Sequence, residues 1–447
     1  MAIINAEEEK IRALENAKKE LQSMCTEIYK GEYVLVIGGD AILKEEFGEG
    51  NAEKYMKDAF AMMYPGNELT HENLRNFFKT KWKSEIEIEA NEDLMSLLET
   101  KCFRLVFTTS FDDYVEQIMR QIWGEELQVY SIYDNNIKSL AYSEYNIIKP
   151  TLIYAFGRIN SNGPFVLNDD NAINAIANRW LDSVNKPTKL INYIAGNSNL
   201  PNGDKDNSKK VLAIGCKLDD WEFRFFWYCL RQDVKKLKGD VAISLNEGYP
   251  EDDKLRNYLS EKGVNDKGKS REFLNTLQRL LNDREEFVYE RLKNELKSGG
   301  VFISYASEDF PVACQIYNML VESGAPVWLD KSELVGGDAY NDRISNAISE
   351  CKVFIPLLSS TTMKDIQNDT WRYYKDVEWM QDNVKSYVPI LVTTSGFDIK
   401  KMREKLPVKF QDRTAIGWSE NGFKSRLIEA VKKGLAKVDE LRTNKTE

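Results

Sequence analysis

"VFISYASEDF" spans residues 301–310. Its first three residues are large and apolar, as in a strand buried on both faces of a parallel sheet. The run stops at Ser304, Tyr305 and Ala306, and two acids precede Phe310. Buried strand, small polar stop and helix start form the repeating unit of an α/β fold. In such folds ligands bind at the carboxyl ends of the strands. The stop at Ser304 therefore marks a candidate site. Ser307 or Asp309 is also placed to cap the following helix, and the two readings are compatible.

The same unit recurs on both sides. Downstream lie "APVWLD" (325–330), "KVFIPLLS" (352–359) and "YVPILVTT" (387–394), with helical stretches between them and helix expected to the end. Upstream, "YVLVIGGDAIL" (33–43), "FRLVFTTSFDDYVEQIM" (103–119), "TLIYAFGRINSNG" (151–163) and "VLAIGCKLDDWEFRFF" (211–226) are four further strand-to-helix units. Gly38-Gly39 suits either a tight turn or close approach of a ligand. Between the two series, "REEFVYERLKNELK" (284–297) reads as a charged helix closed by Ser298-Gly299-Gly300, a C-cap and a domain joint. The expected class is α/β with two parallel-sheet domains. Its expected divisions are an N-terminal helix (1–30), a first domain (31–282), a linker helix (283–299), a second domain (300–437) and a frayed tail (438–447). In the N-terminal helix, Ile11, Leu14, Leu21 and Ile28 recur near helical spacing. That face packs on the following domain or forms an oligomer contact.

Composition narrows the function. The chain has 447 residues, more than one core comfortably serves. It carries 61 Lys and Arg against 71 Asp and Glu, a net charge of −10, which argues against a broad nucleic-acid surface. No run of about 18 apolar residues exists, so no membrane span is expected. The N-terminus is too charged for a signal peptide. The six cysteines form no CxxC pair and read as buried thiols in a reducing cytoplasm. His71 is the single histidine. A His-rich zinc site is excluded, no metal is expected, and a catalytic triad has only that residue to use.

Together "VFISYASEDF", "VWLDKSELVGGDAYNDRISNAISECKVFIPLLSSTT" (327–362) and "WRYYKDVEWM" (371–380) resemble the TIR family, over about residues 300–437. The resemblance implies a flavodoxin-like, five-stranded parallel sheet. It also implies either cleavage of NAD at the nicotinamide–ribose bond or an adaptor role. NAD is then a substrate and no cofactor is needed. The implied catalytic carboxylate is Glu378, in "KDVEWM". Substrate would lie near Ser304, Tyr305, Ala306, Trp328, Asp330, Trp371 and Tyr374. A loop with Lys331, Leu334, Gly336 and Gly337 would pack on a neighbouring TIR domain and complete its site by self-association. The chemistry agrees. Nicotinamide leaves as a neutral group, and a carboxylate steadies the oxocarbenium-like ribose without help from histidine. On a helix, Trp371, Tyr374 and Glu378 share one face. Read without the family, that stripe is two core aromatics and a solvated acid.

The first domain resembles the sirtuin-like family in "LVIGGDAIL" (35–43), "TTSFDDYVE" (108–116) and "VLAIGCKLDDWEFRF" (211–225), which implies a Rossmann-like sheet. The family's pocket would then comprise Gly38, Gly39, Asp40, Ser110, Asp112 and Phe156. Three of these depart from its pattern. Asp40 puts negative charge where a pyrophosphate would sit. Ser110 replaces the usual Asn, and Phe156 stands where the catalytic His would precede Gly157. The domain is therefore expected to lack NAD chemistry and to sense an infection-derived ligand or an activating partner.

Overall fold

In the computed structural model the described residues are 19–41, 52–82, 92–139, 150–196, 208–216, 220–232, 239–244, 253–269, 271–282, 300–329, 351–367, 387–394, 397–418, 420 and 422–443. They divide into two units. One consists of Gly31–Tyr142 and Lys149–Asn282. The other holds the described parts of Met1–Lys30 and Asp283–Glu447. The first unit is thus inserted in the chain between the N-terminal helix and the rest of the second.

The inserted unit is built on seven strands: β1 (Tyr33–Ile37), β2 (Leu105–Thr108), β3 (Gln128–Ser131), β4 (Thr151–Tyr154), β5 (Lys210–Ile214), β6 (Asp240–Ser244) and β7 (Val264–Lys269). All pair in parallel, in the order β3-β4-β2-β1-β5-β6-β7. With β3 set aside as an extra edge strand, this is the common doubly wound order 3-2-1-4-5-6. Strands β1, β2 and β4 are buried throughout, which is why they read as unbroken apolar runs. Strand β7, "VNDKGK", lies at the sheet edge and has no such run.

The order reverses between β1 and β5, and two glycines meet there. A Cβ on Gly38 would lie 2.1 Å from the Gly215 carbonyl oxygen, and one on Gly215 (φ +63°) 2.3 Å from Ala41 N. Gly38 is required because the ends of β1 and β5 touch backbone to backbone.

Four helices of this unit bear on its site: α2 (Ala52–Met63), α3 (His71–Phe77), α5 (Asp169–Ala175) and α6 (Trp221–Arg231), with α4 (Tyr114–Trp123) after β2; α1 is the N-terminal helix, described over 19–29. His71 Nε2 donates to Phe165 O at 2.5 Å, and its ring packs edge-on against Phe165. The only histidine therefore ties α3 to the segment after β4.

The second unit's sheet contains β8 (Val301–Ser304), β9 (Val327–Leu329), β10 (Val353–Leu358), β11 (Val388–Pro389), β12 (Val392–Thr393) and β13 (Ile416–Gly417). The order is β13-β12-β10-β8-β9, with β11 also beside β10. β11 and β12 both pair in parallel with β10 and are one strand interrupted after Pro389. Counted so, the order is the flavodoxin-like 2-1-3-4-5. Phe302 and Phe354 stack at 5.8 Å in the core beside Leu358, Leu391 and Phe410.

Three expectations need correction here. Residues 438–443 are no frayed tail: α8 runs Phe423–Thr443, Val438 is fully buried, and Asp439 pairs with Lys352 at 2.6 Å. The stretch after "YVPILVTT" is not continuous helix, because Ile416–Gly417 adds a short strand beside β12. The N-terminal helix groups with the second unit, where the Tyr29 ring packs on Phe310, rather than with the domain that follows it in sequence. The expected linker helix, 283–299, lies outside the described residues. All six cysteines are free and buried. Among the described residues no helix is long and apolar enough to cross a membrane.

Candidate functional site

A cavity of about 270 Å³ opens at the switch point of the inserted unit, where the tips of β1, β2 and β5 meet the segment after β4. Gly38, Gly39, Asp40, Ser110 and Phe156 line it, as do Lys57, Asn168, Asp169, Asp220, Glu222 and Phe223. Strand tips and helix starts far apart in sequence thus reach one place. Lys57 on α2 carries no sequence signal for this role, since it arrives from a distant helix. Its Nζ donates to Leu167 O at 3.2 Å. Asn168 caps α5 by accepting from Asn171 N at 3.0 Å, which sets Asp169 at the rim.

The cavity wall is acidic. Asp40, Asp169, Asp220 and Glu222 face one lysine among the described lining residues. Burial raises the Glu222 carboxyl above its usual range, and Asp220 and Asp169 raise it further. Burial likewise pushes the Cys216 thiol well up, with Asp40 and Asp220 adding to the effect, so this cysteine stays protonated. Negative charge of this density works against an anionic group such as a pyrophosphate. Among the described residues no group of three or more His, Cys, Asp or Glu is arranged to hold a metal ion.

Asp112, expected in this pocket, is not among the residues lining the cavity. It lies behind Ser110, 1% exposed, where it accepts from the Ser110 hydroxyl and from Tyr114 N at 3.0 Å. Burial raises its carboxyl to about 6, against lowering by those two donors. The folded chain therefore holds this proton more tightly than the unfolded chain does. The contribution to stability is complete below about pH 4 and is lost as pH rises through about 6. The loss is about 3 kcal/mol. Asp112→Asn is expected to remove that slope, because its amide group keeps an acceptor for Tyr114 N and a donor for Ser110. Urea unfolding of both proteins between pH 4 and 7 reads the difference. An unchanged slope would show that Asp112 does not titrate in this range.

In the second unit, Ser304 closes β8 and is 1% exposed, and its hydroxyl has no hydrogen-bond partner among the described residues. A buried hydroxyl without a partner at a strand tip is a group that a ligand can satisfy. Tyr305 and Ala306 follow, half-buried, and Trp328 lies on neighbouring β9. Residues Ser307–Asp309 form a 3-10 turn ahead of α7 (Phe310–Glu322). Asp309 occupies the N-cap position without a side-chain cap bond, so the capping expected of it is not made.

A family model described as "TIR domain" matches residues 301–428. The chain carries a C-terminal TIR domain. Solved structures similar to it include a metazoan TIR-STING receptor from C. gigas, at 20% identity and a TM-score of 0.22. That match covers 29% of this chain and 39% of the receptor's, so the chain spans well under half the receptor's length. No curated protein matches the chain.

Within the TIR domain the structure brings Ser304, Tyr305 and Ala306 to the tip of β8 beside β9. Asp330, Lys331, Leu334, Gly336, Gly337, Trp371, Tyr374 and Glu378 lie outside the described residues.

Proposed function

We propose that this protein is an NAD hydrolase whose TIR domain breaks the nicotinamide–ribose bond. NAD⁺ and water give nicotinamide, ADP-ribose and a proton; in a cyclic variant, a second group of the ADP-ribose replaces water. The observation that carries the reading is the TIR match over 301–428, which encloses Glu378 in "KDVEWM". Glu378 is the carboxylate that steadies the oxocarbenium-like ribose. The Ser304 hydroxyl, which has no partner among the described residues, supports a ligand at the β8 tip.

The inserted unit is sirtuin-like and does no NAD chemistry of its own. Its resemblance in three stretches, and a strand order that reduces to the doubly wound one, support the kinship. The acidic wall and Phe156 at the cavity speak against dinucleotide cleavage there. Its role is to answer an infection-derived ligand or a partner, and so to license TIR self-association. An idle NAD hydrolase depletes its host cell, hence the need for gating. The setting is a cytoplasmic anti-phage effector.

A second reading, favoured by the TIR match alone, is a non-enzymatic scaffold that recruits another effector. Incubating the full chain with NAD over a wide range of protein concentrations, and following nicotinamide release, separates the two. Release that rises more steeply than protein concentration supports gated hydrolysis. No release at any concentration, together with unaltered toxicity of Glu378→Gln in cells, supports the scaffold.

A further inference from the structure

Helix α1 ends on Tyr29, which is 1% exposed. Its ring meets Phe310 edge-on, with centroids 5.3 Å apart and planes at 78°. Phe310 is fully buried and also holds Tyr305, at 5.7 Å and 39°. Tyr29, Phe310 and Tyr305 therefore form a continuous row of rings within one unit, from the N-terminal helix to the residue after the β8 tip. Edge-on ring contacts are directional, and closely packed rings transmit displacement to their neighbours. Phe310 also begins α7, so the turn from Ser304 to Asp309 is held at its far end by the ring that Tyr29 braces. The α1 anchor is well seated: Leu21, Met24, Cys25 and Ile28 are all buried. Only residues 30–32 separate α1 from β1, whose tip lines the acidic cavity.

We propose that Tyr29 is a positioning residue of the TIR site: through Phe310 it sets the Tyr305 ring and the 304–309 turn. The N-terminal helix is then a working part of the TIR domain. Without the Tyr29 ring, Phe310 loses its edge partner, Tyr305 follows, and the wall of the substrate site loosens.

The kinetic arm of the test rests on the NAD-hydrolase reading; the exchange arm does not. In the full chain, Tyr29→Ala is expected to speed amide hydrogen exchange at 304–309 about tenfold, while Tyr29→Phe exchanges as the parent does. Under conditions of NAD cleavage, Tyr29→Ala should raise KM about tenfold with kcat held within about threefold, and Tyr305→Ala should do the same. The double variant should be no worse than Tyr305→Ala alone, because the first residue acts through the second. Unchanged exchange at 304–309, or additive losses in the double variant, would overturn the proposal. Tyr29→Leu takes the place of the alanine variant if that fails to fold. A parent protein that cleaves no NAD counts against the enzyme reading alone, and the exchange result then decides the clamp.

Discussion

Glu378→Gln is expected to abolish nicotinamide release while leaving the protein folded. The exchange keeps the side chain's shape and its hydrogen-bonding reach and removes one negative charge. On the proposed mechanism that charge counts most as positive charge moves onto the ribose, so the loss should fall mainly on the transition state rather than on substrate binding. Removing a single preorganised group of this kind costs about 10²–10⁴-fold in rate. With kcat and kcat/KM both measured, the two should fall together and KM should hold steady. Cells expressing the variant should retain their NAD and survive. A variant that still releases nicotinamide at a rate near the parent's would move the chemistry to another residue. A variant that stays toxic while releasing none would favour the scaffold.

Asp240→Ala is the change expected to damage the fold most. Asp240 and Arg231 are each 2% exposed and lie 3.1 Å apart, Oδ2 to Nε. Asp240 also accepts from Trp227 Nε1 and from Val211 N, both at 3.0 Å. Arg231 in turn donates to Lys209 O. The pair thus joins α6 to the starts of β5 and β6. Burial raises the Asp240 carboxyl, and the arginine beside it opposes that rise. Removing one partner strands the other as a buried charge, at a cost of about 3–5 kcal/mol. Urea unfolding of the inserted unit should show a matching drop in stability. Replacing both residues, Arg231→Met with Asp240→Leu, should recover much of it, because no lone charge remains. If the single variant unfolds with the parent, the pair contributes nothing to stability.

Much of the candidate site was legible because strand tips announce themselves. Gly38 to Asp40, Ser110 and Phe156 each follow an apolar run, and all of them reach the cavity. Asp112 misled because a polar residue at a strand tip can turn inward to a neighbour: its carboxylate accepts from the Ser110 hydroxyl, and only Ser110 lines the cavity. Lys57 and Phe223 were missed since each comes from a helix whose pattern serves its own packing. The polar strand β7 was missed because an edge strand needs no apolar run.

The order of residues along the chain, taken alone, determined the α/β class, the two series of strands and the polar stop at Ser304. Those features depend on neighbours a few positions apart, where period and turn chemistry act directly. Only the tertiary structure decided that Gly38 meets Gly215, that four carboxylates share one cavity, and that Tyr29 braces Phe310 across most of the chain's length. Each is a choice of partner, made by whole faces burying one another, and no local pattern records which distant face wins.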